Sequence, residues 1–169
     1  MKALSLVQPW ASLVALGCKR IETRSWATRY RGEIAIHASK RWTRDERDLC
    51  SEEPFARALY LGMNVPSASV VVARMPLGAI VVVAHLIDVL PTDDLVFSAG
   101  QLRSLEYDPD DGYFPVGLHE ADFGNYQPGR FAWLLSDVRR LPEPIPCKGA
   151  LNLWEVPPDV EARIREALR

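Results

Sequence analysis

The sequence predicts an α+β domain, a small mixed β-barrel with short flanking helices, and three observations predict it. The 169 residues make one domain of ordinary size, long enough to bury a core, so 1–169 is read as a single domain. The elements run strand, helix, strands, helices, a long strand, an excursion and two closing strands, with little βαβ alternation. Residues 78–90 (GAIVVVAHLIDVL) form the strongest β segment, rich in β-branched side chains and suited to burial on both faces.

Each element has a local cause. Residues 3–7 (ALSLV) read as a short strand. Pro9 suits a first helical turn, Trp10, Leu13, Val14 and Leu16 give one apolar face, and Gly17 stops the helix, which is placed at about 9–16. Strands follow at 20–25 (RIETRS) and 33–38 (EIAIHA), with Arg31-Gly32 as the turn between them. Thr43 with Glu46 makes a capping box for a helical stretch over 43–61, which Pro54 divides. Residues 64–76 read as irregular. Residues 91–129 read as a long acidic excursion with little regular structure, carrying turn signals such as Asp110-Asp111-Gly112. Residues 130–138 form a strand, Pro142, Pro144 and Pro146 a stiff extended run, 149–156 the closing strand and 159–168 a terminal helix.

Composition excludes several classes. With 48% apolar and 25% charged residues the chain is globular, not disordered. Cys18, Cys50 and Cys147 are an odd, widely spaced set without CxxC, which argues for a reducing compartment. His37, His85 and His119 have no metal-ligand spacing, and no cofactor loop is present, so neither metal nor cofactor is expected. Residues 3–18 look like a signal segment, but Gln8-Pro9-Trp10 interrupts the apolar run, and it continues into Lys19-Arg20 without a cleavage site. No apolar stretch reaches membrane-spanning length. The expectation is a cytoplasmic protein without a membrane partner. The net charge of −2 hides an asymmetry: residues 1–44 carry nine Lys/Arg against two acids, and residues 88–125 carry nine acids against Arg103 alone. Either the fold has a basic face that attracts phosphates, or the two segments neutralise each other.

Four segments together resemble the ASCH family, a branch of the PUA-like superfamily. They are Leu4-Ser5-Leu6-Val7-Gln8-Pro9-Trp10-Ala11, Gly17-Cys18-Lys19-Arg20-Ile21-Glu22-Thr23-Arg24-Ser25-Trp26, Arg31-Gly32 through His37-Ala38, and the closing Pro146-Cys147-Lys148-Gly149 with Leu153-Trp154. The resemblance implies a PUA-like barrel with a cleft beside the first helix that takes RNA or a nucleotide-like ligand. Some branches are linked to hydrolysis. One removes an acyl group from N4-acetylcytidine with a lysine and a threonine from the counterpart of this loop and a glutamate from elsewhere. Lys19 stands at that lysine's place, Glu22 stands where the threonine would be, and the sequence shows no secure counterpart of the glutamate.

The candidate ligand-binding residues are Gln8, Lys19, Glu22, Arg24, Trp26, His37, Lys40 and Lys148; Lys19 and Glu22 are the catalytic candidates if the chain is an enzyme. On a strand, Glu22 and Arg24 project to one side, so with Lys19 they make one charged cluster. Glu accepts from an exocyclic amine and Arg offers a planar donor fork to a base or phosphate. As an enzyme, Glu22 would serve as general base and Lys19 would steady an oxyanion. Each residue also has a structural reading. Lys19 can cap helix carbonyls, Glu22–Arg24 can be an ordering ion pair, and His37 a satisfied strand histidine. Lys148-Gly149 can be a plain turn and Ser39-Lys40-Arg41 a solvated charge run. Trp10, Trp133 and Trp154 read as core, Trp42 as half-exposed, and Trp26 as either core or stacking surface. The leading expectation is an RNA- or modified-nucleotide-binding module. The alternative is a small hydrolase, either a ribonuclease or an amidohydrolase on an acylated nucleoside. A protein partner docking on the acidic excursion is a third expectation.

Overall fold

The computed structural model describes residues 1–98, 101–104 and 114–169. The Asp110-Asp111-Gly112 turn lies outside them. The chain falls into two compact units. The first comprises Met1–Cys18, Glu33–His85 and Asp137–Arg169; the second comprises Lys19–Gly32 and Leu86–Ser136. Strands are β1 Lys2–Leu6, β2 Ile21–Arg24, β3 Gly32–Ala38, β4 Ala79–Pro91, β5 Leu95–Ser98, β6 Gln101–Ser104, β7 Phe114–Pro115, β8 Phe131–Pro146 and β9 Leu153–Glu155. Helices are α1 Trp10–Ala15, α2 Arg44–Asp48, α3 Phe55–Met63, α4 Ala68–Arg74 and α5 Pro158–Ala167. One six-stranded sheet has the order β2-β8-β4-β3-β1-β9, and a three-stranded sheet has the order β5-β6-β7. The class is the mixed α+β expected. No single described helix is long and apolar enough to cross a membrane.

In the first unit β1 runs parallel to β3 and antiparallel to β9. Ala3, Ala35, Ile80, Val83, Leu141, Ile145, Val156, Val160 and Ile164 pack together in one apolar cluster. Burial of such apolar surface stabilises by roughly 25 cal/mol per Å² removed from water. Gly17 ends α1 as expected: its φ of +73° lets the Cys18 N–H reach back to the Leu13 carbonyl at 3.0 Å. The capping box also forms, with the Thr43 N–H donating to Glu46 at 2.6 Å and the Glu46 N–H donating to Thr43 Oγ1 at 3.4 Å.

Three expectations are corrected. Residues 68–74 form helix α4 instead of an irregular segment. Valine is a weak helix former, but burial of Val71 overrides that preference. Strand β8 does not end near residue 138; it runs through Pro142, Pro144 and Pro146. Prolines at alternate positions all lack their N–H on the same edge, so the other edge keeps its ladder. The excursion is also more regular than predicted. It carries the β5-β6-β7 sheet and 3₁₀ turns at Thr92–Asp94 and Glu120–Phe123.

The second unit is built on β2, which pairs antiparallel with the start of β8 so that Glu22 lies opposite Trp133 and Arg24 opposite Phe131. Ile21, Ala132 and Leu134 are its buried centre, with Leu90, Leu95, Phe97, Phe114, Val116 and Tyr126 packed against them. Arg31 pairs with Asp88 at 2.6 Å, so part of the charge asymmetry is neutralised between the basic and acidic segments.

Candidate functional site

The structure sorts the candidate residues into two groups, one in each unit. In the second unit Lys19, Glu22 and Arg24 do converge. Strand β2 throws Glu22 and Arg24 to one side, and Arg24 Nε lies 3.1 Å from Glu22 Oε1. Lys19 Nζ lies 4.0 Å from Glu22 Oε2 and donates to the Phe123 carbonyl at 2.8 Å. A fourth residue, absent from the sequence-based set, completes the cluster. Glu120 Oε1 stands 3.9 Å from Lys19 Nζ, and its carboxylate accepts from the Arg20 N–H at 2.7 Å and the Ile21 N–H at 3.0 Å. Only its apolar neighbours in Glu120-Ala121-Asp122-Phe123 hint at its burial, and the nine acids of the segment hide that hint.

This cluster lies deep. Lys19 is 1% exposed and Glu120 is 0% exposed, whereas the Arg24 side chain keeps 25% of its surface. Burial drives the Lys19 ammonium below the ordinary lysine value, opposed by Glu22 and Glu120. Burial drives Glu120 upward, opposed by Lys19 and the two backbone N–H groups. The Tyr126 hydroxyl is pushed up by burial and by the same two carboxylates. Trp26 is half-buried, edge-on to the fully buried Trp133 at 4.7 Å, and its carbonyl accepts from the Trp133 indole N–H. What this group offers solvent is Arg24 and part of Trp26, with Glu22 behind them.

The first unit holds a groove of about 890 Å³ that gathers His37, Lys40 and Lys148. It is lined also by Ser5, Ser39, Leu77, Gly78 and the run Pro146–Leu151. Its geometry follows from strand ends: β3 delivers His37 and then Lys40, and the link from β8 to β9 delivers Lys148. The Cys147 N–H donates to the Gly78 carbonyl at 3.0 Å and the Gly78 N–H donates to the Ala38 carbonyl at 2.7 Å, which ties the three walls together. Lys40 and Lys148 are exposed, and Leu77 and Leu151 show 41% and 88% of their surface at the rim. His37 is buried, between Ser5 Oγ at 3.2 Å and the Cys147 carbonyl at 3.1 Å.

Gln8 belongs to neither group. It is fully buried, its amide donates to the Pro76 carbonyl at 2.9 Å and accepts from the Ser12 N–H at 3.1 Å, and so it is spent inside the fold. Trp10 is half-buried, edge-on to Phe55 at 5.9 Å. Among the described residues no group of three His, Cys, Asp or Glu side chains is placed to hold a metal ion.

Burial also holds His37 below the ordinary histidine value. The unfolded chain therefore binds its proton first as the pH drops. The stability contributed by neutral His37 is present above about pH 6.5 and is lost as the pH falls through the lower folded value. Urea denaturation of the wild type and His37→Gln is expected to show a shallower loss of stability below pH 6.5 in the variant. Equal slopes would mean that His37 titrates as a free imidazole.

Fold and site together define a mixed α+β domain with an open basic groove and a buried charge cluster. The chain belongs to the ASCH domain family, whose model matches residues 4–105. A crystal structure of ASCH from Zymomonas mobilis aligns over 98% of this chain and 93% of its own, with a TM-score of 0.50 and 14% identity. A single-substitution mutant of that protein aligns over 98% and 96%, again with a TM-score of 0.50 and 14% identity. At that identity the likeness shows the fold alone. Activating signal cointegrator 1 of Mus musculus and of Homo sapiens are each 56% identical over 36 residues, 21% of this chain. That stretch is 6% of the cointegrators' length.

Proposed function

We propose that this chain is an RNA- or nucleotide-binding ASCH module, with the His37–Lys40–Lys148 groove as its ligand site. The observation that carries the reading is the groove itself: two exposed lysines beside exposed Leu77 and Leu151, over a floor of backbone. Lysines suit phosphates as point charges, and apolar rims suit the faces of unstacked bases. The groove wall also includes the main chain of Lys148, Gly149 and Ala150, and backbone N–H groups suit an anion. Arg24, paired with Glu22, and Trp26 are proposed as a separate nucleic-acid contact of the second unit. Family membership supports an RNA ligand.

Binding of a single-stranded RNA oligomer, followed by fluorescence anisotropy over a salt series, tests the reading. Each phosphate contact on a single strand contributes about 0.7 to the slope of log affinity against log salt. Removing two, in a Lys40→Ala/Lys148→Ala double variant, is expected to flatten that slope by about 1.4. Unchanged affinity and slope in the double variant and in Arg24→Ala would overturn the proposal.

A second reading has one specific observation in its favour. A lysine with a lowered pKa within 4.0 Å of two carboxylates is the equipment of acid–base chemistry. Under that reading the chain is a small hydrolase, with Lys19 and Glu22 reacting and Glu120 as their partner. Incubation of the wild type with N4-acetylcytidine and with RNA discriminates: acetate release or strand cleavage selects the hydrolase, and intact substrate selects the binding module.

A further inference from the structure

The hydrogen bonds under the groove do not balance with a neutral His37. Its Nε2 lies 3.1 Å from the Cys147 carbonyl, which only accepts, so Nε2 carries a proton. Its Nδ1 lies 3.2 Å from Ser5 Oγ. That same Oγ lies 3.0 Å from the Ala150 carbonyl and accepts from the Trp154 indole N–H at 3.2 Å. A neutral imidazole and the Ala150 carbonyl thus compete for the single hydroxyl proton of Ser5, and one contact goes without. An imidazolium removes the conflict: Nδ1–H donates to Oγ, and the hydroxyl donates to Ala150. All four contacts then carry a proton.

The surroundings decide when that second proton is taken. Strands β1 and β9 bring Ser5 and Trp154 against the ring. Lys40 lies two residues past the end of β3, and the loop above it brings Lys148 and Cys147. The Cys147 thiol is raised by burial and by Asp159 of α5, so it stays neutral. While the groove is empty, burial opposes a charge on the ring and the Cys147 carbonyl favours it, with burial the larger effect. An anion lying between the lysines favours that charge.

We infer that His37 takes up a proton when an anion occupies the groove, and that Ser5 passes the change to the Ala150 carbonyl, tightening the 147–151 loop on the ligand. This deepens the assignment of the groove as an anion site and rests on it. The experiment follows the His37 ring by NMR in the wild-type protein, assigned through His37→Gln, with inorganic pyrophosphate as the probe and the RNA oligomer as a second arm. The expected result is a His37 titration midpoint at higher pH with pyrophosphate present. Pyrophosphate affinity then falls by up to tenfold per pH unit between the free and bound midpoints. Pyrophosphate's own ionisation is removed by the same titration of His37→Gln, and Ser5→Ala is expected to shrink the coupling. A midpoint that moves with pyrophosphate in a protein that ignores RNA would sink the RNA reading alone. A midpoint unmoved by either anion overturns the inference, whether or not RNA binds.

Discussion

Replacing Glu120 by alanine is expected to cost the fold about 3–5 kcal/mol, the range for breaking a buried ion pair from one side. The carboxylate is fully buried and does three things at once. It accepts the Arg20 and Ile21 N–H groups at 2.7 and 3.0 Å, and it stands 3.9 Å from the Lys19 ammonium. The alanine variant leaves two main-chain donors without an acceptor, each costing on the order of 1–3 kcal/mol. It also leaves Lys19, at 1% exposure, with Glu22 as its remaining carboxylate partner among the described residues. Glu120→Gln keeps one acceptor oxygen and the shape, so its cost is expected to be smaller. Urea denaturation of the three proteins measures this. An alanine variant within about 1 kcal/mol of the wild type would mean that water replaces the carboxylate, and that the cluster is not a sealed one.

Gly149→Ala is the second large effect, and it acts on the groove directly. A Cβ there would sit 2.4 Å from His37 Cε1, 2.5 Å from Nδ1 and 2.8 Å from Ser5 Oγ. Neither neighbour can give way cheaply. The imidazole is held at the Cys147 carbonyl, and the hydroxyl is held by Trp154 and Ala150. Overpacking of this kind costs about 1–3 kcal/mol and shifts the backbone. The shift falls on the loop carrying Lys148, so RNA affinity is expected to drop together with thermal stability. If the melting temperature falls while affinity stays at the wild-type level, the loop is not part of the ligand site.

Much of the local structure was legible from the chain. The Trp10 helix with its Gly17 stop, the Thr43–Glu46 capping box, strands β1 to β4 and the terminal helix follow from spacing and turn chemistry. Those signals act within a few residues of each other. The misreadings share a cause. Helix α4 depends on burial of Val71, and the passage of β8 through three prolines depends on which edge its neighbour occupies. Neither is visible in a window of sequence. The candidate site was legible in part. The pairing of Glu22 with Arg24 follows from strand alternation, and the candidates His37, Lys40 and Lys148 do line one groove. Gln8 and Lys19, polar and charged, looked like ligand contacts, yet the fold buries both.

The order of residue types thus determined the family, the α+β class and the set of side chains with chemistry to offer. Only the tertiary structure decided which of them meet and which meet water. It brought Glu120 from a hundred residues away to Lys19, and it set His37 under the backbone of Gly149. The physical reason is that a charge's neighbours and its desolvation are properties of packing. They come from segments far apart in the chain, whereas propensity, capping and alternation are local.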